Sequence, residues 1–213
     1  MEEKDSIKAK KGTTTVGVIC RNGVVLAADK RASSGYMVAD KKTEKVHPIS
    51  DYMAITTSGL VSDAQLLTKV IKAQLKLLAL RKGQEPLVAE AANLLSNLSY
   101  SNIRKPSMVP GIVGFLLAGY DKHGFHLYDI GVDGSISKAE DFRTDGSGSV
   151  YAMGVLETLY KKDMNLEEGT DLVVKALKAA LRRDLATGNG IDVFHITKDG
   201  VKKVLTKIFD IQV

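Results

Sequence analysis

The chain has 213 residues, 44% hydrophobic and 26% charged, a balance that excludes disordered, fibrous and membrane-embedded classes and predicts one globular domain. Its 30 basic residues against 25 acidic ones leave a formal charge of +5, yet no block of like sign is long enough for a nucleic-acid arm. With aromatics at 6% and no tryptophan, stacking platforms are also lacking, so no nucleic-acid partner is expected.

Residues 1–12 are charged throughout and lack the apolar stretch of a secretory signal. Thr13 to Cys20 and Val24 to Ala28 are apolar, β-branched runs around Arg21-Asn22-Gly23, whose Asn-Gly turn signal predicts a hairpin. Cys20 is the only cysteine and reads as a small core residue; with neither a bridge nor a zinc pairing available, a reducing cytoplasm fits. A more polar stretch through Lys41, Lys42, Lys45 and Pro48 follows, and Tyr52 to Thr57 then reads as a strand ending at Ser58-Gly59.

From Ser62 to Lys82, Leu67, Val70, Ile71, Leu75 and Leu78 recur at helical spacing, and Gly83 supplies a stop. Pro86 opens a second helix with the stripe Val88, Ala91, Leu94, Leu95 and Leu98, which Pro106 and Pro110 forbid from continuing. Strand patterns return at Ile112 to Tyr120, Phe125 to Ile130 and Ser135 to Lys138, separated by turns at Asp121-Lys122-His123-Gly124 and Asp133-Gly134. The apolar stretch near Ile112 to Gly119, the longest in the chain, is too short for a membrane-crossing helix, so no membrane partner is expected. Helices are then expected from Ser149 to Tyr160 and from Leu166 to Leu185, and strands at Ile191 to Ile196 and Val201 to Leu205. Strand groups and helix pairs alternate in blocks rather than singly, which favours an antiparallel sandwich flanked by helices over a doubly wound parallel sheet.

Familiar catalytic signatures are missing: there is no Gly-x-Ser-x-Gly elbow, no His-Glu-x-x-His and no phosphate loop. Gly146-Ser147-Gly148-Ser149 resembles the start of a dinucleotide loop, but Tyr151 stands where the third glycine belongs, and no cofactor is expected. His47, His123, His126 and His195 show no metal-ligand spacing, so no metal is expected either.

What stands out is Gly12-Thr13-Thr14-Thr15-Val16-Gly17, where a charged leader meets a strand-forming run at one glycine. Cleavage after Gly12 would place a nucleophilic hydroxyl and a free α-amine on Thr13, the pairing of nucleophile and base that activation requires. An unperturbed α-amine has a pKa of about 7.7 to 8.0, and a neighbouring ammonium would lower it. Asp29 and Lys45 are candidates for such a carboxylate-fixed lysine; by spacing alone they could equally be a solvated surface pair.

From Gly12 onward the chain resembles the archaeal-type proteasome β-subunit family of N-terminal threonine hydrolases. Gly12-Thr13-Thr14-Thr15-Val16-Gly17 resembles its processing site, Leu26-Ala27-Ala28-Asp29-Lys30-Arg31-Ala32 the segment bearing its aspartate, and Lys45 falls where its active-site lysine falls. Thr56-Thr57-Ser58-Gly59 resembles the strand end whose glycine amide serves as oxyanion donor. Gly146-Ser147-Gly148-Ser149, Tyr151 to Glu157 and Arg183-Asp184 are also similar to family motifs.

The resemblance implies an α+β fold, a four-layer αββα sandwich of two antiparallel sheets flanked by helix pairs. It implies a propeptide, residues 1–12, removed by autocleavage, and a single catalytic domain, residues 13–213. Catalytic roles are implied for Thr13, Asp29, Lys45 and Gly59, with Ser147 and Asp184 near the threonine amine and Thr187 as hydrogen-bonding support. Thr187 stands where the family commonly has serine, and Ser33 where it has threonine. Ser33 is a substrate-backbone contact by analogy, and Ala32, Thr43, Thr57, Val61 and Gln65 belong to a primary pocket expected to be small or uncharged and to accept apolar side chains.

The implied partners are other β subunits in heptameric rings, α-subunit rings, an ATP-dependent unfoldase and unfolded polypeptide substrates. Two other readings are a non-catalytic structural β-ring subunit and a bacterial-type hexameric ATP-dependent threonine peptidase.

Overall fold

The computed structural model describes residues 12–209. The expected leader, residues 1–12, therefore lies outside the described residues apart from Gly12. Strands β1 (Thr15–Cys20), β2 (Gly23–Asp29), β3 (Ala32–Ser34), β4 (Met37–Asp40), β5 (Val46–Pro48) and β6 (Met53–Gly59) lead into helices α1 (Val61–Lys82) and α2 (Val88–Arg104). Strands β7 (Val113–Asp121), β8 (Gly124–Ile130), β9 (Ile136–Ala139) and β10 (Phe142–Asp145) precede α3 (Ser149–Leu159) and α4 (Leu166–Arg183). Strands β11 (Gly190–Thr197) and β12 (Gly200–Ile208) complete the order.

Two five-stranded antiparallel sheets form, in the orders β10-β1-β2-β11-β12 and β5-β6-β7-β8-β9, with β3-β4 as a separate hairpin. Three cores separate four layers. Val25, Ala27, Leu172 and Val173 belong to the core between the first sheet and α3/α4. Val24, Leu26, Ala28, Leu116 and Leu127 fill the space between the sheets. Ile55, Leu117, Ile71 and Leu95 join the second sheet to α1 and α2. Alternate residues of β2 thus enter different cores, so a strand covered on both faces reads in sequence as an unbroken apolar run. This is the expected αββα sandwich.

Two of the helices, α4 and α2, begin where local hydrogen bonds fix them. Asn165 accepts from the Glu168 amide at 2.9 Å while the Glu168 carboxylate accepts from the Asn165 amide at 2.8 Å, a reciprocal box that starts α4. Its buried stripe, Leu172, Val173, Ala176, Leu177 and Ala180, keeps the three-and-four spacing of one helical face. Helix α2 starts two residues after Pro86, because Leu87 stays extended, Glu90 accepts its amide at 2.9 Å, and Asp121 accepts the Val88 amide at 2.8 Å.

Four short strands, β3, β4, β5 and β10, were not foreseen. Strand β4, Met-Val-Ala-Asp, is only four residues long and exposed along its length, so its apolar residues do not mark a buried face, and β10 is an edge strand with the sequence Phe-Arg-Thr-Asp, which carries no apolar run. In the first hairpin the turn is Arg21-Asn22, with Gly23 already paired opposite Cys20.

One buried ion pair ties the chain just past β2 to β11, its neighbour in the sheet. Lys30 Nζ lies 2.5 Å from Asp192, with side chains 6% and 4% exposed, and Asp192 also accepts from Thr206 at 2.7 Å and pairs with Lys203 at 3.3 Å. Burial pushes the Asp192 carboxyl up, but the hydrogen bonds of Lys30 and Thr206 and the charges of Lys30 and Lys203 prevail and hold it below the usual range. Asp192→Ala leaves the Lys30 ammonium buried and unpaired and is expected to cost about 3–5 kcal/mol, read from the denaturation midpoint. Because the folded-state pKa is depressed, the pair's contribution is full above about pH 4 and is lost as pH falls through the lowered value. A midpoint unchanged by Asp192→Ala at neutral pH would contradict this.

Candidate active site

The β1–β2 register pairs Thr15 with Ala28, which brings Thr14 beside Asp29 and leaves Thr13 just beyond the strand end. The Asp29 amide donates to the Thr14 carbonyl at 3.2 Å, and the Asp29 carboxylate accepts from the Thr14 amide at 3.0 Å. Lys45 reaches the same carboxylate from the opposite sheet, at 2.7 Å from Oδ1, held at the entrance of β5 by the Thr57 amide donating to its carbonyl at 2.9 Å. The second oxygen, Oδ2, accepts from the Arg31 amide at 3.0 Å and the Gly188 amide at 2.9 Å. Four donors thus saturate a carboxylate whose side chain is fully buried, which is what allows a charge to persist there.

Thr13 is itself 6% exposed, and its hydroxyl donates to the Gly12 carbonyl at 2.8 Å. Lys45 Nζ lies 3.5 Å from that carbonyl oxygen. Burial pulls the Lys45 ammonium below its ordinary pKa; the charge and hydrogen bond of Asp29, and then the charge of Asp184, oppose the shift without cancelling it, and Arg31 adds to it. The ion pair is therefore buried rather than solvated, and it adjoins the Gly12–Thr13 peptide bond.

A second network approaches from the other side. Asp184 Oδ2 accepts from Ser147 at 2.6 Å and Thr187 at 2.5 Å, and the Thr187 and Thr14 hydroxyls are 2.7 Å apart. Among the described residues neither Ser147 nor Asp184 bonds to Thr13 in this uncleaved chain; the network reaches Thr14 through Thr187. The Gly148 amide donates to the Thr13 carbonyl at 3.4 Å. Gly146 has φ +96, and a Cβ there would lie 2.0 Å from the Thr13 carbonyl oxygen, so only glycine lets this loop close on Thr13. Gly59 ends β6 at φ +108, where a Cβ would meet the Ile112 carbonyl oxygen at 2.1 Å.

Gly12, Thr13, Lys45 and Gly59 line one cleft together with Ala32, Ser33, Thr43, Thr57, Val61 and Gln65. Ser33 and Thr43 are also engaged locally, Ser33 donating to the Ala186 carbonyl at 3.3 Å and Thr43 to Asp40 at 2.8 Å. Beside these small or uncharged residues, Arg31, Glu44 and His47 also border the cleft. Strand alternation from Lys45 would have found His47, which shares its face. Burial, then the charge of Lys72, lowers the His47 pKa, with Glu44 opposing. Arg31 follows Asp29 in the same segment; its guanidinium donates to Asn189 at 2.7 Å and to the Leu185 carbonyl at 2.8 Å, clamping the loop that carries Thr187 and Gly188. Among the described residues no cluster of His, Cys, Asp or Glu could hold a metal ion, and no helix is long and apolar enough to cross a membrane.

The arrangement of two antiparallel sheets between helix pairs is that of the N-terminal nucleophile sandwich. A family profile described as "Proteasome subunit" matches residues 9–196, and the chain belongs to that family of proteases, among β-type members. It is 45% identical over 193 residues to a protein of Methanococcus aeolicus named "Proteasome subunit beta", covering 90% of this chain and 87% of the relative. Proteins of the same name from Archaeoglobus profundus and Methanocaldococcus jannaschii are 43% and 45% identical over 193 residues, covering 91% and 90% of this chain and 88% and 84% of their own lengths.

Proposed function

We propose that the chain is the precursor of a catalytic β subunit, a threonine-type endopeptidase that frees its own nucleophile by cleaving between Gly12 and Thr13. The observation that carries this reading is the Thr13 hydroxyl at 2.8 Å from the Gly12 carbonyl oxygen, with Lys45 at 3.5 Å from the same oxygen and fixed by buried Asp29.

In maturation Thr13 Oγ attacks the Gly12 carbonyl carbon. The Oγ–C bond forms as the C–N bond breaks, and the hydroxyl proton passes to the Thr13 nitrogen. Water then hydrolyses the ester, releasing residues 1–12 with a Gly12 carboxylate and leaving a free α-amine on Thr13. In the mature enzyme the same oxygen attacks a substrate peptide carbonyl, the amine accepts the hydroxyl proton and returns it to the leaving nitrogen, and the Gly59 amide stabilises the oxyanion; water then hydrolyses the acyl-enzyme ester, releasing the second peptide with a free carboxylate and restoring the Thr13 hydroxyl. Ser147, Asp184 and Thr187 support the amine, and Ser33, Ala32, Thr43, Thr57, Val61 and Gln65 receive the substrate. The mature single domain is residues 13–213.

By the same reading the subunit works in the cytoplasm, within heptameric β rings stacked against α-subunit rings. An ATP-dependent unfoldase feeds it unfolded polypeptides, which it cuts to short peptides.

Intact mass spectrometry of assembled particles, with and without an electrophile directed at N-terminal threonine, tests both halves of the reading. The expected result is a subunit lighter by residues 1–12 that gains one adduct on Thr13 and loses peptidase activity with it. Fully active particles with the leader retained would overturn the proposal.

A further inference from the structure

The Asp29–Lys45 pair crosses the sandwich on one side of β1; a second carboxylate crosses it on the other. Strand β1 lies between β2, which ends in Asp29, and β10, which ends in Asp145. Thr15 of β1 is paired with Asp145, and its hydroxyl approaches the Asp145 carbonyl at 3.5 Å. The Asp145 side chain reaches into the opposite sheet, where Oδ2 accepts from the hydroxyl of buried Ser58, the residue before Gly59. Its Oδ1 accepts from the Gly146 amide at 2.7 Å, in the glycine that packs against the Thr13 carbonyl.

One carboxylate therefore holds both the strand end that presents the Gly59 amide and the loop that contacts Thr13. The approach is close enough that a Cβ on Gly114, opposite Ser58 in β7, would lie 2.5 Å from Asp145 Oδ2. Asp129 lies close enough to Asp145 for that charge, after burial, to raise its pKa, with Arg143 opposing, so Asp145 acts from within a partly enclosed cluster rather than from open surface.

We propose that Asp145 is a positioning residue for the hydrolytic reaction: by joining Ser58 to Gly146 it sets the separation between the oxyanion donor at Gly59 and the nucleophile at Thr13. It touches neither substrate nor reacting atoms. The inference rests on the threonine-peptidase reading above. Since oxyanion stabilisation acts only as charge develops, a shift in this separation lowers kcat and leaves substrate binding nearly untouched.

The experiment measures kcat and KM of assembled, self-processed particles on a fluorogenic peptide, comparing the starting protein with Ser58→Ala, Asp145→Ala, Asp145→Asn and the Ser58→Ala/Asp145→Ala double variant. Thr13→Ala serves as the control for the underlying reading: if it hydrolyses the peptide as the starting protein does, that reading fails. With that control inactive, each alanine variant is expected to lose about ten- to a hundred-fold in kcat, with KM within about two-fold. The double variant should lose no more than the larger single loss, because both remove one tie. Asp145→Asn, which keeps an acceptor for the Gly146 amide, should recover part of the rate. Thermal unfolding of each variant separates folding failure from misplacement, and Ser58→Ala, the smallest change, stands as the test if Asp145→Ala does not assemble. Unaltered kcat in Ser58→Ala, or losses that multiply in the double variant, would overturn the proposal.

Discussion

Thr13→Ala is expected to leave residues 1–12 attached and to abolish peptide hydrolysis, a loss on the order of 10⁴-fold or more. Both effects follow from removing one oxygen. The hydroxyl that lies 2.8 Å from the Gly12 carbonyl oxygen is the one protein nucleophile the proposed reaction uses, first on its own chain and then on substrate. The buried Asp29–Lys45 pair, the Gly59 strand end and the Ser147–Asp184–Thr187 network remain in place, so residual activity measures what the site achieves without covalent catalysis. Thr13→Ser keeps the oxygen and is expected to retain both processing and turnover. Intact mass and fluorogenic hydrolysis, run on the same preparation, check the pair. A Thr13→Ala particle that still hydrolyses peptides would show that the nucleophile lies elsewhere.

The layers were legible in the sequence because the strands buried on both faces carry unbroken apolar runs and the helices carry clean stripes. Strand β2 and helix α4 are the clearest cases: Gly23–Asp29 is buried throughout, and α4 buries one helical face from Leu172 to Ala180. Strands β3, β4, β5 and β10 were not legible, since their pairing is decided by neighbouring strands rather than by their own residues.

The site divides along the same line. Thr13 and the Asp29–Lys45 pair were found as a nucleophile with candidate partners, but burial, which separates this pair from a surface ion pair, is a property of the folded sandwich. The roles of Arg31 and Ser58 are not legible in the sequence because their work is to hold other residues, through Asn189, Leu185 and Asp145, and no local pattern marks a residue for partners more than eighty positions away.

Lys45→Ala is expected to abolish turnover even in protein whose Thr13 terminus is already free. Two effects act together. The Asp29 carboxylate, fully buried, loses the only side-chain cation bonded to it among the described residues and is left with three amide donors, so the variant is also expected to be less stable by about 3–5 kcal/mol. The charge that biases the Thr13 amine towards its neutral form is lost as well.

Asp29→Asn separates the two effects. It removes the carboxylate that fixes Lys45 while avoiding an unpaired buried anion, so its loss of turnover should exceed what its stability change explains. Lys45→Arg should not restore activity. The guanidinium is larger than the ammonium it replaces in a site where Lys45 is 5% exposed, and it cannot give up a proton, whereas burial already draws Lys45 below the ordinary lysine range. Steady-state rates on a fluorogenic peptide, with each variant's free terminus verified by mass, check the series. Wild-type turnover in processed Lys45→Ala would remove Lys45 from the mechanism and leave the buried pair as a structural tie between the two sheets.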